Sequence, residues 1–153
     1  MSTKFTKNAT PMKDSLTLQL VMSTNLLQER ISGMLVKALK EKGYKTINAS
    51  RLSFLSTLEC GVNYASEISR NLRVSRQMVA KTVKELCELG YLLQEKPVGK
   101  QKAIVFTLHG ERLISECRNT LANFDEKLKL KLGGKDLNQL LKGIEDVNGL
   151  FNE

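Results

Sequence analysis

Apolar residues recur at three- and four-residue steps along a segment near the start of the chain. They occupy one stripe between about Asp14 and Lys42: Leu20, Leu27, Ile31, Met34, Leu35, Ala38 and Leu39. This spacing predicts a long amphipathic helix. Gly43 is expected to end it, because glycine adopts the left-handed conformation without steric cost. Before this helix, residues 1–13 contain lysines but no acidic residue, and we predict a mobile basic arm there.

A second long stripe begins near Gly110 and consists of Leu113, Cys117, Leu121, Phe124 and Leu128. Gly133 and Gly134 interrupt it, and a final apolar helix should follow with Asp136 as its N-cap. Helices of about 25 residues are roughly 37 Å long, and a small core cannot cover such stripes. We therefore expect a homodimer through the N- and C-terminal helices.

Shorter elements are predicted in the middle of the chain. A second helix should begin at Asn48 or Ser50 and end at Gly61, and a third should span residues 64–72 with Asn63 as its N-cap. Residues 73–75 then form a turn into a fourth helix, which Ser75 should cap.

After Gly90 the pattern becomes extended, with β-branched and aromatic residues at 91–95 and 103–107 around a turn segment containing Pro97 and Gly99. Helix, turn, helix and hairpin in this order predict a winged helix-turn-helix. The expected fold class is mainly α with a small β-hairpin wing and long terminal dimerisation helices.

The fourth helix has two chemically different faces. Val79, Val83 and Leu86 repeat at four and three residues and should face the core, whereas the opposite face is polar and small: Arg76, Gln77, Ala80, Lys81 and Lys84. Arginine and glutamine can bond to guanine and adenine edges, a small alanine permits close approach, and lysines neutralise phosphates. The alternative interpretation is an ordinary solvated helix face.

Charge favours the first interpretation. The chain has 24 Lys and Arg against 16 Asp and Glu, a formal charge of +8. Between Arg70 and Lys102 eight basic residues stand against three acidic ones, which suits a polyanionic partner. Lys100 and Lys102 in the hairpin could follow a phosphate backbone, although lysines also simply make hairpins soluble.

Several motifs in this region resemble those of the MarR family of transcriptional regulators, and the resemblance extends over nearly the whole chain. They are Ser-Glu-Ile-Ser-x-x-Leu at 66–72, Val-Ser-x-x-x-Val-x-Lys-x-Val-x-x-Leu at 74–86, Leu-Gly-Tyr-Leu at 89–92 and Phe-Thr-Leu-His-Gly at 106–110. The resemblance implies a triangular homodimer whose subunits each have six helices and a wing. It also implies that Ser75 and the polar face of the fourth helix contact double-stranded DNA.

This sequence departs from the family pattern in the wing. The family's Asp-x-Arg element falls at Val98 and Lys100, so the acid is missing and lysine replaces the arginine. Lys81 likewise stands where an arginine is common. Lysine retains the charge but lacks the planar fork of a guanidinium, which weakens the expectation of selective minor-groove contacts.

The resemblance also implies a cleft for a small lipophilic or phenolic effector. Tyr44, Phe54 and His109 are the candidates for its lining, although aromatic residues at helical spacing are core residues more often than ligand contacts.

Cys60, Cys87 and Cys117 are far apart in sequence and contain no Cys-x-x-Cys pair. They indicate neither a disulfide framework nor a zinc site, and a reducing cytoplasm is expected.

Other classes of protein are disfavoured. No run of about 18 apolar residues predicts a membrane span, and with one histidine and no Gly-rich phosphate loop we expect no enzyme and no cofactor.

The predicted organisation is an arm (1–13), a dimerisation helix (14–43), a DNA-binding lobe (46–108) and C-terminal dimerisation helices (109–153). The expected function is a homodimeric repressor of transcription. The alternative is a winged-helix scaffold that binds a protein partner and reads DNA weakly or not at all.

Overall fold

The computed structural model describes residues 11–95, 99 and 101–152. A short 3-10 helix, Met12–Asp14, precedes six α-helices and two strands. Their bounds are α1 Leu16–Glu41, α2 Ala49–Ser56, α3 Ala65–Leu72, α4 Arg76–Glu88, β1 Leu92–Gln94, β2 Ile104–Phe106, α5 Leu108–Leu132 and α6 Gly134–Gly149. This is a mainly α fold with one antiparallel hairpin, as the hydrophobic pattern predicts.

Several helix ends follow directly from local chemistry. Ser15, Asn48, Ser75 and Thr107 each accept a hydrogen bond from a backbone amide in the first turn of α1, α2, α4 and α5, respectively. Gly43 has a φ of 101° directly after α1, which confirms its predicted role. Gly133, with a φ of 81°, separates α5 from α6.

The predicted start of the chain needs a correction. Met12 and Lys13 belong to the 3-10 helix, and the side-chain amide of Gln19 donates to the Lys13 carbonyl oxygen at 3.1 Å. The end of the predicted basic arm is therefore attached to α1, whereas residues 1–10 lie outside the described part of the chain. Likewise α1 begins at Leu16 and not at Asp14, because Ser15 caps it.

Three other boundary predictions were wrong. Helix α2 ends at Ser56, well before Gly61. At its end the hydroxyls of Ser56 and Thr57 donate to carbonyl oxygens of the last turn. Asp136 does not cap α6, because Gly133 already accepts the first helical hydrogen bond from the Leu137 amide. The wing strands are three residues each, shorter than the predicted 91–95 and 103–107.

The hydrophobic core lies between the C-terminal half of α1, helices α2 to α4, the hairpin and the N-terminal half of α5. Its most deeply buried side chains are Leu39, Ile47, Leu55, Val79, Val83, Leu86, Tyr91, Leu92, Ile104 and Leu113. Lys42, at the end of α1, forms an ion pair with Glu116 of α5. Helix α6 contributes no buried residue.

Candidate nucleic-acid interface

Helix α4 is anchored to the core by one face. Val79, Val83 and Leu86 are all 0% exposed, which confirms the predicted inward positions. The Ser75 hydroxyl accepts the Met78 amide at 3.1 Å and defines where the helix begins. The rotation of α4 about its own axis is therefore set by packing, and it determines which side chains face the solvent.

The opposite face of α4 carries the predicted DNA contacts, and all of them are exposed: Ser75, Arg76, Gln77, Ala80, Lys81 and Lys84. Among the described residues, none of the three basic side chains on this face forms an ion pair with an acid. The nearby acid Glu85 instead pairs with Arg51 of α2. The face thus combines uncompensated positive charge with hydrogen-bonding groups, which is the chemistry that a DNA groove requires.

Two further basic residues lie beside the start of α4. Arg70 and Arg73 are exposed in the last turn of α3 and the residue after it. Arg73 has a φ of 54° and a ψ of 40°, and the turn is held by the Ser69 hydroxyl, which donates to the Val74 carbonyl oxygen at 2.7 Å. From the sequence these arginines were predicted only to add positive charge. Their position immediately before the cap of α4 was the signal that could have identified them.

The wing consists of β1 and β2 in antiparallel register, with Leu92 opposite Phe106 and Gln94 opposite Ile104. Lys102 is exposed on its second arm. The Ser66 hydroxyl, at the start of α3, donates to the Gln101 side-chain oxygen at 3.1 Å, so the wing is attached to the helix-turn-helix. The predictions for Val98 and Lys100 fall on residues outside the described part of the chain.

Asn63 organises the base of the wing and does not cap α3 as predicted. It is 5% exposed, and its backbone exchanges two hydrogen bonds with Ile104 of β2. Its side-chain oxygen accepts the Glu59 amide, and its side-chain nitrogen donates to the Glu59 carbonyl oxygen. Because both ends of the amide are occupied by the preceding loop, Tyr64 takes the cap position of α3 without a side-chain hydrogen bond.

The junction between α4 and α5 is unusually close. The Thr107 hydroxyl donates to the Gly90 carbonyl oxygen at 2.6 Å and accepts the Gly110 amide at 3.0 Å. A Cβ atom on Gly110 would lie 2.1 Å from the Tyr91 carbonyl oxygen. Glycine is therefore required at this position, where the segment that follows α4 meets the long helix α5.

Only two of the three residues predicted for an effector cleft lie together. The rings of Tyr44 and His109 stack with centroids 5.4 Å apart, and Tyr91 stacks on His109 at 4.9 Å. Phe54 is buried and lines a separate groove with Leu72, Val74 and Met78. The three side chains predicted to line one cleft therefore lie at two different places in the fold.

A different cavity, of about 210 Å³, lies between α1, α2 and α5. Its lining is largely apolar, with Ser56, Arg118, Cys60 and Cys117 as its polar or polarisable members. Arg118 Nη2 donates to the Cys60 Sγ at 3.4 Å, and Cys60 is exposed whereas Cys117 is buried. Burial raises the pKa of the Cys117 thiol to about 11 and also raises the pKa of the Cys87 thiol.

The described part of the chain contains no cluster of three or more His, Cys, Asp and Glu residues that could hold a metal ion. Within the same residues, no helix is long and apolar enough to cross a membrane.

Comparison with known proteins adds evidence about the fold. No family model and no curated protein matches the sequence, but many solved structures match the fold. A MarR-family transcriptional regulator from Rhodococcus sp. RHA1 is 15% identical, covers 88% of this chain and 95% of its own, and has a TM-score of 0.66. The chain has the MarR winged-helix fold.

Two other solved structures with this fold contain a bound molecule. A mutant of E. coli MarR complexed with operator DNA is 15% identical, with a TM-score of 0.70, over 91% of this chain and 99% of that one. CouR from Rhodococcus jostii RHA1, bound to p-coumaroyl-CoA, is 16% identical, with a TM-score of 0.63, over 91% and 95% of the two chains. At these identities the MarR likeness establishes the architecture, and function has to be argued from the site.

Proposed function

We propose that this protein is a sequence-specific double-stranded DNA-binding regulator of transcription that acts as a homodimer on a pseudo-palindromic operator. The observation that carries the proposal is the exposed basic and polar face of α4, backed by three fully buried residues. The same fold in complex with operator DNA, in the E. coli MarR mutant, supports it. We place the activity in the cytoplasm because bacterial and archaeal DNA lies there.

Roles can be assigned from position along α4 and the wing. Arg76 and Gln77 in its first turn would contact base edges in the major groove, with Lys81 one turn further on. Ala80 permits close approach, and Ser75 caps the N-terminus of α4, which would lie at the groove. Three lysines would contact phosphates: Lys84, Lys100 and Lys102. Arg70 and Arg73 extend this basic surface at the start of the helix.

The second copy of the chain is proposed to cover the open ends of the long helices. Leu16, Val21 and Leu27 on α1 are 82%, 48% and 50% exposed, and Leu140 and Leu141 on α6 are 49% and 52% exposed. A cavity of about 370 Å³ separates α6 from Leu20 and Thr24 of α1. Apolar surface of this extent is typical of an interface. A two-fold dimer would present two α4 helices about 34 Å apart, at successive major grooves.

We also propose that a small, largely apolar effector releases the protein from DNA. Without the effector, the DNA-bound protein would repress transcription by excluding polymerase. The cavity between α1, α2 and α5 is a better candidate for its site than the predicted trio of Tyr44, Phe54 and His109. It joins an apolar lining to a guanidinium, from Arg118, and so suits a lipophilic or phenolic molecule with an acidic group. CouR, bound to p-coumaroyl-CoA, has the same fold.

Selection of bound sequences from a random duplex library, followed by titration of the selected site, tests the main proposal. Arg76→Ala should weaken binding by about 1 to 3 kcal/mol and relax specificity at one position. Lys102→Ala should weaken all sequences alike and reduce the slope of log K against log salt by about one. Lys135→Ala, which removes the same charge from the start of α6, is the matched control and should change neither quantity.

The alternative, a winged-helix scaffold for a protein partner, gives a different result in the same experiment. It predicts that the wild-type chain binds no duplex even at low salt, where phosphate contacts are strongest. Equal, salt-insensitive binding by the Arg76 and Lys102 variants would contradict the assignment of roles.

A further inference from the structure

His109 lies between two tyrosine rings that come from different parts of the fold. It occupies the first turn of α5, whereas Tyr44 belongs to the segment between α1 and α2, and Tyr91 lies between α4 and β1. The planes of His109 and Tyr91 are 14° apart, and those of His109 and Tyr44 are 28° apart. Three segments of the chain thus meet through one stack of rings.

The Tyr91 side of this stack is rigidly connected to α4. Tyr91 is 1% exposed, and its amide donates to the Leu86 carbonyl oxygen at 3.0 Å. Its hydroxyl shares a hydrogen bond of 2.8 Å with the Thr46 hydroxyl. Its carbonyl oxygen accepts the Thr107 amide at 3.1 Å. A displacement of the Tyr91 ring would therefore be transmitted to the last turn of α4.

A second connection reaches α4 from the same segment that provides Tyr44. Arg51 Nε donates to the Glu85 carboxylate at 3.0 Å, and the other end of its guanidinium donates to the Thr46 carbonyl oxygen. Both connections grip the C-terminal half of α4. The N-terminal half, with Arg76 and Gln77, is the part exposed for DNA and is held only by its inner face.

Because α4 is long, a small change in its tilt at the C-terminal end gives a larger displacement of its N-terminal end, which would contact the DNA. Its 13 residues make a rod of about 20 Å. A tilt of about 10° at the C-terminal end therefore moves the N-terminal end by about 3.5 Å, which is close to the 3.4 Å rise of one base pair along a strand. The tilt of α4 relative to α5 therefore affects the distance between the N-terminal ends of the two α4 helices in the proposed dimer.

We propose that His109 is a positioning residue, whose stack between Tyr44 and Tyr91 sets the tilt of α4 relative to α5 and thereby the half-site spacing that the dimer accepts. This inference rests on the proposed function. His109 is suited to such a role because its ring is at the surface, so that its removal need not open the core. It touches no DNA in this assignment and affects spacing only through Tyr91.

Selection from a random duplex library can separate spacing from half-site sequence. The wild-type chain should prefer one spacing by about tenfold or more over spacings one base pair longer or shorter. His109→Ala should reduce this preference to threefold or less while the half-site sequence stays the same, because the α4 face is intact. His109→Phe, which retains a flat ring, should behave as wild type, and so should Arg112→Ala, an exposed change in the next turn of α5.

A loss of half-site sequence together with spacing in His109→Ala would overturn the proposal, as would an unchanged spacing preference. If His109→Ala does not fold, His109→Gln removes the ring while providing a good helix former, and the same results are expected of it.

A second measurement needs no DNA and so separates this inference from the proposed function. Spin labels at Gln77→Cys on α4 and Lys127→Cys on α5 report the distance distribution within one subunit, in a Cys60→Ser, Cys87→Ser chain that is diluted with unlabelled protein and retains only the buried Cys117. The distance distribution should be narrow in the chain that retains His109, broader or shifted in His109→Ala, and narrow again in His109→Phe. An identical distribution in all three overturns the positioning role, whereas selection of no sequence by wild type overturns the DNA-binding function alone.

Discussion

The winged helix-turn-helix lobe and the outer ends of the long helices both carry apolar residues at helical spacing but bury them very differently. In the lobe, Val79, Val83 and Leu86 have no exposed surface. On α6, an equally regular apolar stripe leaves Leu140 and Leu141 about half exposed, and none of its residues is buried. Helical periodicity therefore identifies which face will be covered, but whether the cover comes from the same chain depends on where the helix lies.

The two regions therefore differ in what completes their packing. The buried hydrophobic residues of the core all lie within residues 35–117, and they fix which face of α4 points to the solvent. The terminal helices have too few neighbours in the subunit, and under the proposed function a second chain supplies them. One region would thus present α4 to the DNA, while the other would join two copies of α4 in one dimer.

A large effect should come from the contact that joins the two regions. Gly110→Ala would place a methyl group 2.1 Å from the Tyr91 carbonyl oxygen, so backbone must move, and we expect a loss of about 3 kcal/mol in the free energy of unfolding. Urea denaturation at fixed protein concentration measures it. Gly33→Ala in α1, where nothing lies within 4 Å, is the control and should stabilise by about 0.5 to 1 kcal/mol. Equal effects at both positions would show that the close junction does not matter.

A pair of leucine truncations tests the comparison itself. Leu86→Ala creates a cavity in the lobe core and should cost about 2 to 5 kcal/mol, with no change in the dimer dissociation constant. Leu140→Ala should instead weaken the dimer while leaving the monomer's own stability nearly unchanged, because that side chain is half exposed in one chain. Light scattering across a dilution series, combined with denaturation, separates the two quantities. A concentration-independent loss in Leu140→Ala would mean that α6 is not an interface.

A smaller effect should appear at high pH on the covered side of α5. Burial raises the pKa of Cys117 from an ordinary value of 9.0 to about 11. Between these values the unfolded chain loses its proton first, so the native state binds more protons and stability must fall as pH rises. The loss should approach about 2 kcal/mol near pH 11 and be absent in Cys117→Ala. Parallel pH profiles for the two chains would contradict the buried-thiol assignment.

Much of the fold could be predicted because the responsible interactions are local. Ser75 caps α4 through an amide three residues away, and Val79, Val83 and Leu86 repeat with the period of the helix. Gly43 ends α1 for a reason contained in its own backbone. The exposed face of α4 followed from the same periodicity, which is why all the predicted helix contacts at this face proved accessible.

Other features could not be predicted because distant residues decide them. Asn63 has the chemistry of a helix cap, but Ile104, 41 residues later, and the loop at Glu59 occupy its groups instead. Phe54 and His109 resemble each other as lone aromatic residues, yet one packs beside Leu72 while the other stacks on Tyr44 and Tyr91. The cavity beside Arg118 combines three helices that no local pattern connects.

Local sequence patterns are enough to predict the order of elements, the inner and outer faces of α4, and the excess of positive charge around it. These properties follow from side-chain periodicity and composition, which act over a few residues. Long-range packing, in contrast, is the reason that His109 contacts Tyr91, that Gly110 lies against the Tyr91 backbone, and that α6 has no buried residue within one chain. Those outcomes depend on which surfaces meet when distant segments pack, and the geometry of the proposed DNA reader depends on them.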